Sequence, residues 1–265
     1  MKKTMLLLML CLLGLSMLLC GCGSADGESD LAYIQDKGVM IIGITDYEPM
    51  NYRDADGEWT GFDTEFAQAV CEKLGITPEF IEISWDNKIL ELDAKSIDCV
   101  WNGMTMTDEV LNAMSCSQPY INNAQVVVMN GDLLADYDTV ESLVDLRFAA
   151  EAGSSGEKAI LENGLDGDYI AVGSQADALL EVASGSSDAC VIDITMAAAM
   201  TGEGTSYADL AFGIPLTSEE YGIGFRKGSD TAAAVDAIID ELVQEGFIQE
   251  LGEKYELSGA LVINQ

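Results

Sequence analysis

Val39-Met40-Ile41-Ile42-Gly43-Ile44 is an unbroken apolar run of strand length, and the periodicity of the next sixty residues decides the fold class. Phe62, Phe66, Ala69, Val70 and Leu74 recur at helical spacing, and Gly75 closes that segment. Glu79-Phe80-Ile81-Glu82-Ile83 alternates like a strand. Asp86 is placed to cap a helix carrying Ile89, Leu90 and Leu92, and Ile97-Asp98-Cys99-Val100-Trp101 reads as a third strand. Strand, helix, strand, helix, strand predicts a parallel sheet with right-handed crossovers.

The second half repeats the plan. Arg147-Phe148-Ala149-Ala150, Tyr169-Ile170-Ala171-Val172 and Asp188-Ala189-Cys190-Val191-Ile192-Asp193 read as strands. Helices open at Gly153-Ser154-Ser155-Gly156, where Ser154 and Glu157 have capping-box spacing, and run over 176–184. Two extended runs, Gln125-Val126-Val127-Val128-Met129 and Tyr221-Gly222-Ile223-Gly224-Phe225, are read as lying between the lobes. Two crossings return the C-terminal piece to the first lobe. There Asp230 is expected to cap a long helix with Val235, Ile238, Ile239, Leu242 and Val243 inward. The expected architecture is α/β with two lobes, each a mostly parallel sheet flanked by helices, joined by a two-strand hinge. Lobe 1 takes 38–124 and, on its return, 222–265; lobe 2 takes 125–221.

The N-terminus carries a different signal. Met1-Lys2-Lys3 precedes an apolar run from Met5 to Leu19, too short to span a membrane and placed like a secretion signal. The run ends in Leu19-Cys20-Gly21-Cys22, which resembles a bacterial lipobox with Gly21 before the lipidated Cys22. Residues 1–21 are therefore read as a signal peptide. Residues 22–37 are read as a lipidated, flexible tether, because Gly23 to Asp30 is small, polar and acidic. Two acyl chains on Cys22 would hold the protein to the outer face of the cell membrane.

The 265 residues carry 46 acidic and 12 basic side chains, a formal charge of −34 that argues against nucleic acid as partner. No histidine is present, which removes the usual general base and the commonest metal ligand. Asp54-Ala55-Asp56-Gly57 is a turn rather than a calcium loop, since the downstream acidic pattern is missing. No nucleophile elbow, zinc-ligand set or cofactor motif appears, so neither metal nor cofactor is expected. Cys71, Cys99, Cys116 and Cys190 could pair in an exported protein. Their apolar surroundings favour free, buried thiols.

The order and spacing of Asp46-Tyr47-Glu48-Pro49-Met50, Gly61-Phe62-Asp63, Trp85-Asp86, Gly103-Met104-Thr105-Met106-Thr107, Ser117-Gln118-Pro119-Tyr120, Gly153-Ser154-Ser155 and Tyr221-Gly222-Ile223 resemble the extracellular solute-binding proteins, family 3. These serve ABC importers of polar amino acids and have the type II periplasmic-binding-protein fold. The resemblance covers nearly all of Val39 to Leu257. It implies a monomer that closes its lobes over a small nitrogenous solute (amino acid, amine, opine or short peptide) and docks on a permease. By the same resemblance, Tyr47 and Trp85 sandwich the ligand, and Asn102, Gly103 and Thr105 offer hydrogen bonds. Ser155 meets an anion at a helix N-terminus, and Asp193 takes the ammonium. Read for structure alone, the two aromatics are core residues, Ser154 and Ser155 are caps, and Asp193 caps the next helix.

One position departs from the family pattern. Thr107-Asp108-Glu109-Val110 puts valine where the resemblance expects the carboxylate-binding arginine, so the bidentate clamp is absent. Lys88 is the candidate substitute, against its reading as a solvated helix lysine. Acidic amino acids lose favour as ligands, and amines, amides, opines and short peptides gain. The alternatives to a binding protein are a sensor module reporting to a membrane receptor, and a dehydratase or murein-cleaving enzyme using Asp46, Glu48 or Asp193.

Overall fold

The computed structural model describes residues 29–262; the expected signal peptide and the expected lipid attachment at Cys22 lie outside them. Helix α1 (Asp30–Lys37) is a correction to the tether, which was expected to reach residue 37. The Ser29 hydroxyl accepts from the Ala32 N–H, Ile34 is fully buried, and Gly38 closes the helix in the left-handed conformation. One buried apolar side chain, the cap and polar ties from Arg226, Asp230 and Asp98 order a segment whose composition reads as linker.

Strand β1 (Val39–Ile44) comes next, then a small hairpin of β2 (Tyr52–Arg53) and β3 (Trp59–Thr60). In its turn the Asp54 carboxylate accepts from the N–H groups of Asp56 and Glu58. Helix α2 (Phe62–Leu74), strand β4 (Thr77–Glu82), helix α3 (Lys88–Asp93) and strand β5 (Cys99–Thr105) complete the expected series. Both β4 and β5 pair with β1 in parallel. Asp86 does not cap α3: it lies in a short 3-10 turn, Trp85–Asn87, and its carboxylate accepts from the Ser84 hydroxyl. That turn takes up the residues between strand and helix, so Asn87 becomes the position before α3.

After α4 (Asp108–Ala113) come the short strands β6 (Met114–Cys116) and β7 (Ile121–Asn123). The second lobe is β8 (Gln125–Asn130), β9 (Phe148–Glu151), α5 (Ser155–Glu162), β10 (Tyr169–Val172), α6 (Gln175–Ala183), β11 (Ala189–Asp193), α7 (Ile194–Met200) and β12 (Leu210–Pro215). Its strand order is β10-β9-β11-β8-β12. The return strand β13 (Glu219–Arg226) pairs antiparallel with β5, β6 and β7, giving the first sheet the order β4-β1-β5-β13-β6. Helices α8 (Thr231–Gln244) and α9 (Phe247–Lys254) finish the chain on the first lobe.

Both sheets are mixed rather than mostly parallel. In each, three parallel strands are extended by antiparallel ones, because the strands that carry the chain between lobes run against the βαβ strands. The runs Gln125–Met129 and Tyr221–Phe225 are accordingly interior strands of the two sheets. The crossings lie at their ends, around Ala124 and over Leu216–Ser218, and the return begins at Glu219 rather than 222. Phe62, Phe66, Trp101 and Tyr120 form an aromatic cluster in the first lobe, with Phe66 edge-on to Trp101 at 5.0 Å. Arg226 reaches the Ile97 carbonyl and the carboxylates of Asp30 and Asp98, fixing the return strand and α1 to the first sheet.

Among the described residues all four cysteines are free, and Cys71, Cys99 and Cys190 are buried. Burial pushes the Cys71 thiol up to about 12.

Candidate functional site

The carboxyl ends of β5, β9 and β11 converge between the lobes, which is where open α/β sheets present their loops to ligands. They enclose a cavity of about 270 Å³. The first lobe lines it with Trp85, Lys88, Asn102 and Val110, the second with Glu151 and Asp193. Gly103, Thr105 and Ser155 also border it, so six of the seven ligand positions expected from the sequence come together there.

Tyr47 is the seventh and does not line the cavity. It is fully buried, and its hydroxyl bonds to those of Thr195, from the second lobe, and Tyr221. Gly103 packs on its ring: an added Cβ would sit 2.7 Å from Tyr47 Cε1, and φ is +55°. Only glycine fits both that space and that backbone region without strain. The Gly103 N–H donates to the Asp63 carboxylate at 2.6 Å.

Asp193 is 4% exposed and ends β11. Its Oδ1 accepts from Gln125 Nε2 at 2.7 Å and from Asn123, and its Oδ2 from Gln175. Although Asp193 precedes α7, its side chain makes no capping bond. Burial and the nearby Glu219 push its carboxyl up to about 7.

Lys88 is not a solvated helix lysine. It is 9% exposed, and its ammonium donates to the Trp85 carbonyl at 3.1 Å and, across the cleft, to the Gly153 carbonyl at 2.9 Å. Burial lowers its pKa. Ser154 and Ser155 divide the two roles open to them. Ser154 caps α5 by accepting from the Glu157 N–H, while Glu157 turns to the Gly153 N–H, so only half of the capping box forms. The Ser155 hydroxyl donates to Glu219 Oε2 at 2.7 Å.

Glu151, which lines the cavity, and Glu219, which bonds to residues that border it, are missed by sequence reasoning. Glu219 Oε1 accepts from Thr105 Oγ1 at 2.9 Å, Asn123 Nδ2 at 2.8 Å and Gln125 Nε2 at 2.6 Å. Glu151 is 2% exposed and its Oε1 has no hydrogen-bond partner. Burial and the charge of Asp193 push its carboxyl up to about 8. A signal for Glu151 exists: an acidic residue directly after an apolar strand, two before a glycine that opens a helix. Among the described residues no acidic or thiol cluster could hold a metal ion, and no helix is long and apolar enough to cross a membrane.

Residues 40–258 match the family model described as bacterial extracellular solute-binding proteins, family 3. The L-cystine-binding protein TcyJ of Escherichia coli is 28% identical over 231 residues, 86% of each chain. The ABC transporter glutamine-binding protein GlnH of Bacillus subtilis is 26% identical over 271 residues, 96% of this chain and 97% of its own. Among solved structures, the ancestral amino acid-binding protein AncCDT-1, a precursor of cyclohexadienyl dehydratase, superposes with a TM-score of 0.78. It is 30% identical and covers 86% of this chain and 99% of its own.

Proposed function

We infer the function from one premise: this chain belongs to the bacterial extracellular solute-binding proteins, family 3. It has the type II periplasmic-binding-protein fold of that family. Its role is to bind a small nitrogenous solute in the interlobe cavity, as a monomer, and to present it to the permease of an ABC importer. The relatives named as binding proteins for cystine and glutamine support this reading. The observation that carries it is the buried Asp193 carboxylate facing the interlobe cavity and held there by three amide side chains. A carboxylate so placed is suited to a ligand ammonium.

Trp85 and Asn102 line the same cavity and would supply an apolar wall and a hydrogen bond. Ligand that bridges the lobes favours their closure, and the closed form is what a permease would recognise. Cys22 is the lipid attachment point on the outer face of the membrane, after a signal peptide over 1–21. The tether is then the short stretch from Cys22 to α1.

A thermal-shift screen of amino acids, amines and short peptides at millimolar concentration tests the reading. Binding raises the melting temperature by mass action. No shift with any of them refutes it.

A further inference from the structure

A ligand carboxylate entering the cavity needs hydrogen-bond donors or a cation, and the side chains of the walls have little to give. The Thr105 and Ser155 hydroxyls each hold one proton, and both donate it to Glu219. Asn123 and Gln125 give that same carboxylate two more bonds. Glu219 thus engages side-chain donors from both lobes at the edge of the cavity and leaves fewer of them for an incoming anion. Lys88 spends two of its three donors on protein carbonyls. Val110, 3% exposed, presents only methyl groups. Lys158 stands at the rim, with its side chain 47% exposed and 3.7 Å from Glu162.

The needs of a cation are met twice over. Asp193 lies on one wall, and Glu151 adds a second buried carboxylate whose Oε1 is unpartnered. An ionised carboxylate buried with an unpartnered oxygen is unfavourable, and an ammonium placed against it relieves that. Two buried carboxylates against one engaged lysine attract a cation and repel a second carboxylate.

We propose that the cavity selects small organic amines lacking a carboxylate beside the ammonium, with the cation held by Asp193 and Glu151 and the bordering hydroxyls of Thr105 and Ser155 engaged by the chain's own Glu219. This rests on the interlobe cavity being the ligand site.

The test uses matched pairs that differ by one carboxylate: agmatine against arginine, putrescine against ornithine, cadaverine against lysine. Each is titrated by calorimetry into the chain from Gly23 to Gln265, which retains every described residue. The amine should bind at least tenfold more tightly than the amino acid in one pair or more. Glu151→Gln should weaken that amine at least tenfold while the melting temperature stays within a few degrees. If the amino acid binds as tightly or more tightly in every pair, or if E151Q leaves amine affinity unchanged, the proposal falls and the binding function stands. If only peptides bind, the result is the same. If amines, amino acids and peptides all fail to bind, both readings fall together.

Discussion

The Lys88 ammonium of the first lobe donates to the Gly153 carbonyl of the second at 2.9 Å, next to the cavity. A residue whose sequence context suggests solvation is a latch between the lobes. Its bond is charge-assisted and nearly dry, the kind that contributes about 1.5–3 kcal/mol. Desolvation of the ammonium opposes this, as its lowered pKa records.

Lys88→Met keeps the aliphatic stem and deletes the latch. The net effect of bond and desolvation should be on the order of 1 kcal/mol against the closed arrangement. Small-angle scattering of the unliganded variant should show a larger radius of gyration than the parent chain. Superimposable curves would rule out the latch.

Gly153→Ala should block closure more severely. The added Cβ would lie 2.6 Å from Asp86 Cα, a backbone atom of the opposite lobe, which yields only if the lobes part. The residue also has φ +71°, so alanine there carries about 1–2 kcal/mol of strain. Gly164→Ala separates the two effects, since φ is +68° there and nothing lies within 4 Å. Both variants should lose similar stability by urea unfolding. Only G153A should lose ligand affinity, by tenfold or more.

The strands and helices were legible wherever one face or one run of apolar residues decides them. Val39–Ile44, Ala189–Asp193 and the face of α8 are such cases. Asp193 was legible only through the family resemblance, since its place at the end of a buried strand by itself suggested a helix cap. Glu219 was not, because its role is created by tertiary geometry. Thr105, the pair Asn123 and Gln125, and Ser155 reach it from three separate stretches, and no spacing in the sequence announces that meeting. Lys88 escaped for the same reason: its partner is a backbone carbonyl 65 residues away, and carbonyls leave no mark in a sequence.

Asp230 was expected to cap α8, but its side chain makes no bond to that helix. Its carboxylate instead accepts from the Ser29 hydroxyl at 2.6 Å and the Leu31 N–H at 2.9 Å, which lower its pKa and dock the start of α1. Asp230→Ala should therefore loosen the start of α1 while leaving α8 intact. Hydrogen exchange is the measurement: amides of residues 31–37 should lose protection and those of 235–242 should keep it. Equal loss in both segments would mean that Asp230 serves α8 after all.

Stability should also depend on pH through the cavity carboxylates. Asp193 and Glu151 titrate near 7 and 8 in the folded chain, against about 4 when unfolded, chiefly because burial disfavours their charged forms. Between those values the folded state holds protons that the unfolded state has released. Stability is therefore fully retained below about pH 4 and is lost as pH rises toward 8. Asp63, pushed up to about 7, acts in the same direction. Comparing the parent with Glu151→Gln/Asp193→Asn by urea unfolding at pH 5 and pH 8 cancels the Asp63 share. The parent should lose on the order of 6 kcal/mol more than the double variant over that interval. Saturating amine should shrink the parent's loss, because an ammonium against these carboxylates favours their ionised forms. The same coupling requires that amine binding near pH 6 release protons, visible as a buffer-dependent heat of binding. A parent that is as stable at pH 8 as at pH 5, relative to the double variant, would show that neither carboxylate holds its extra proton.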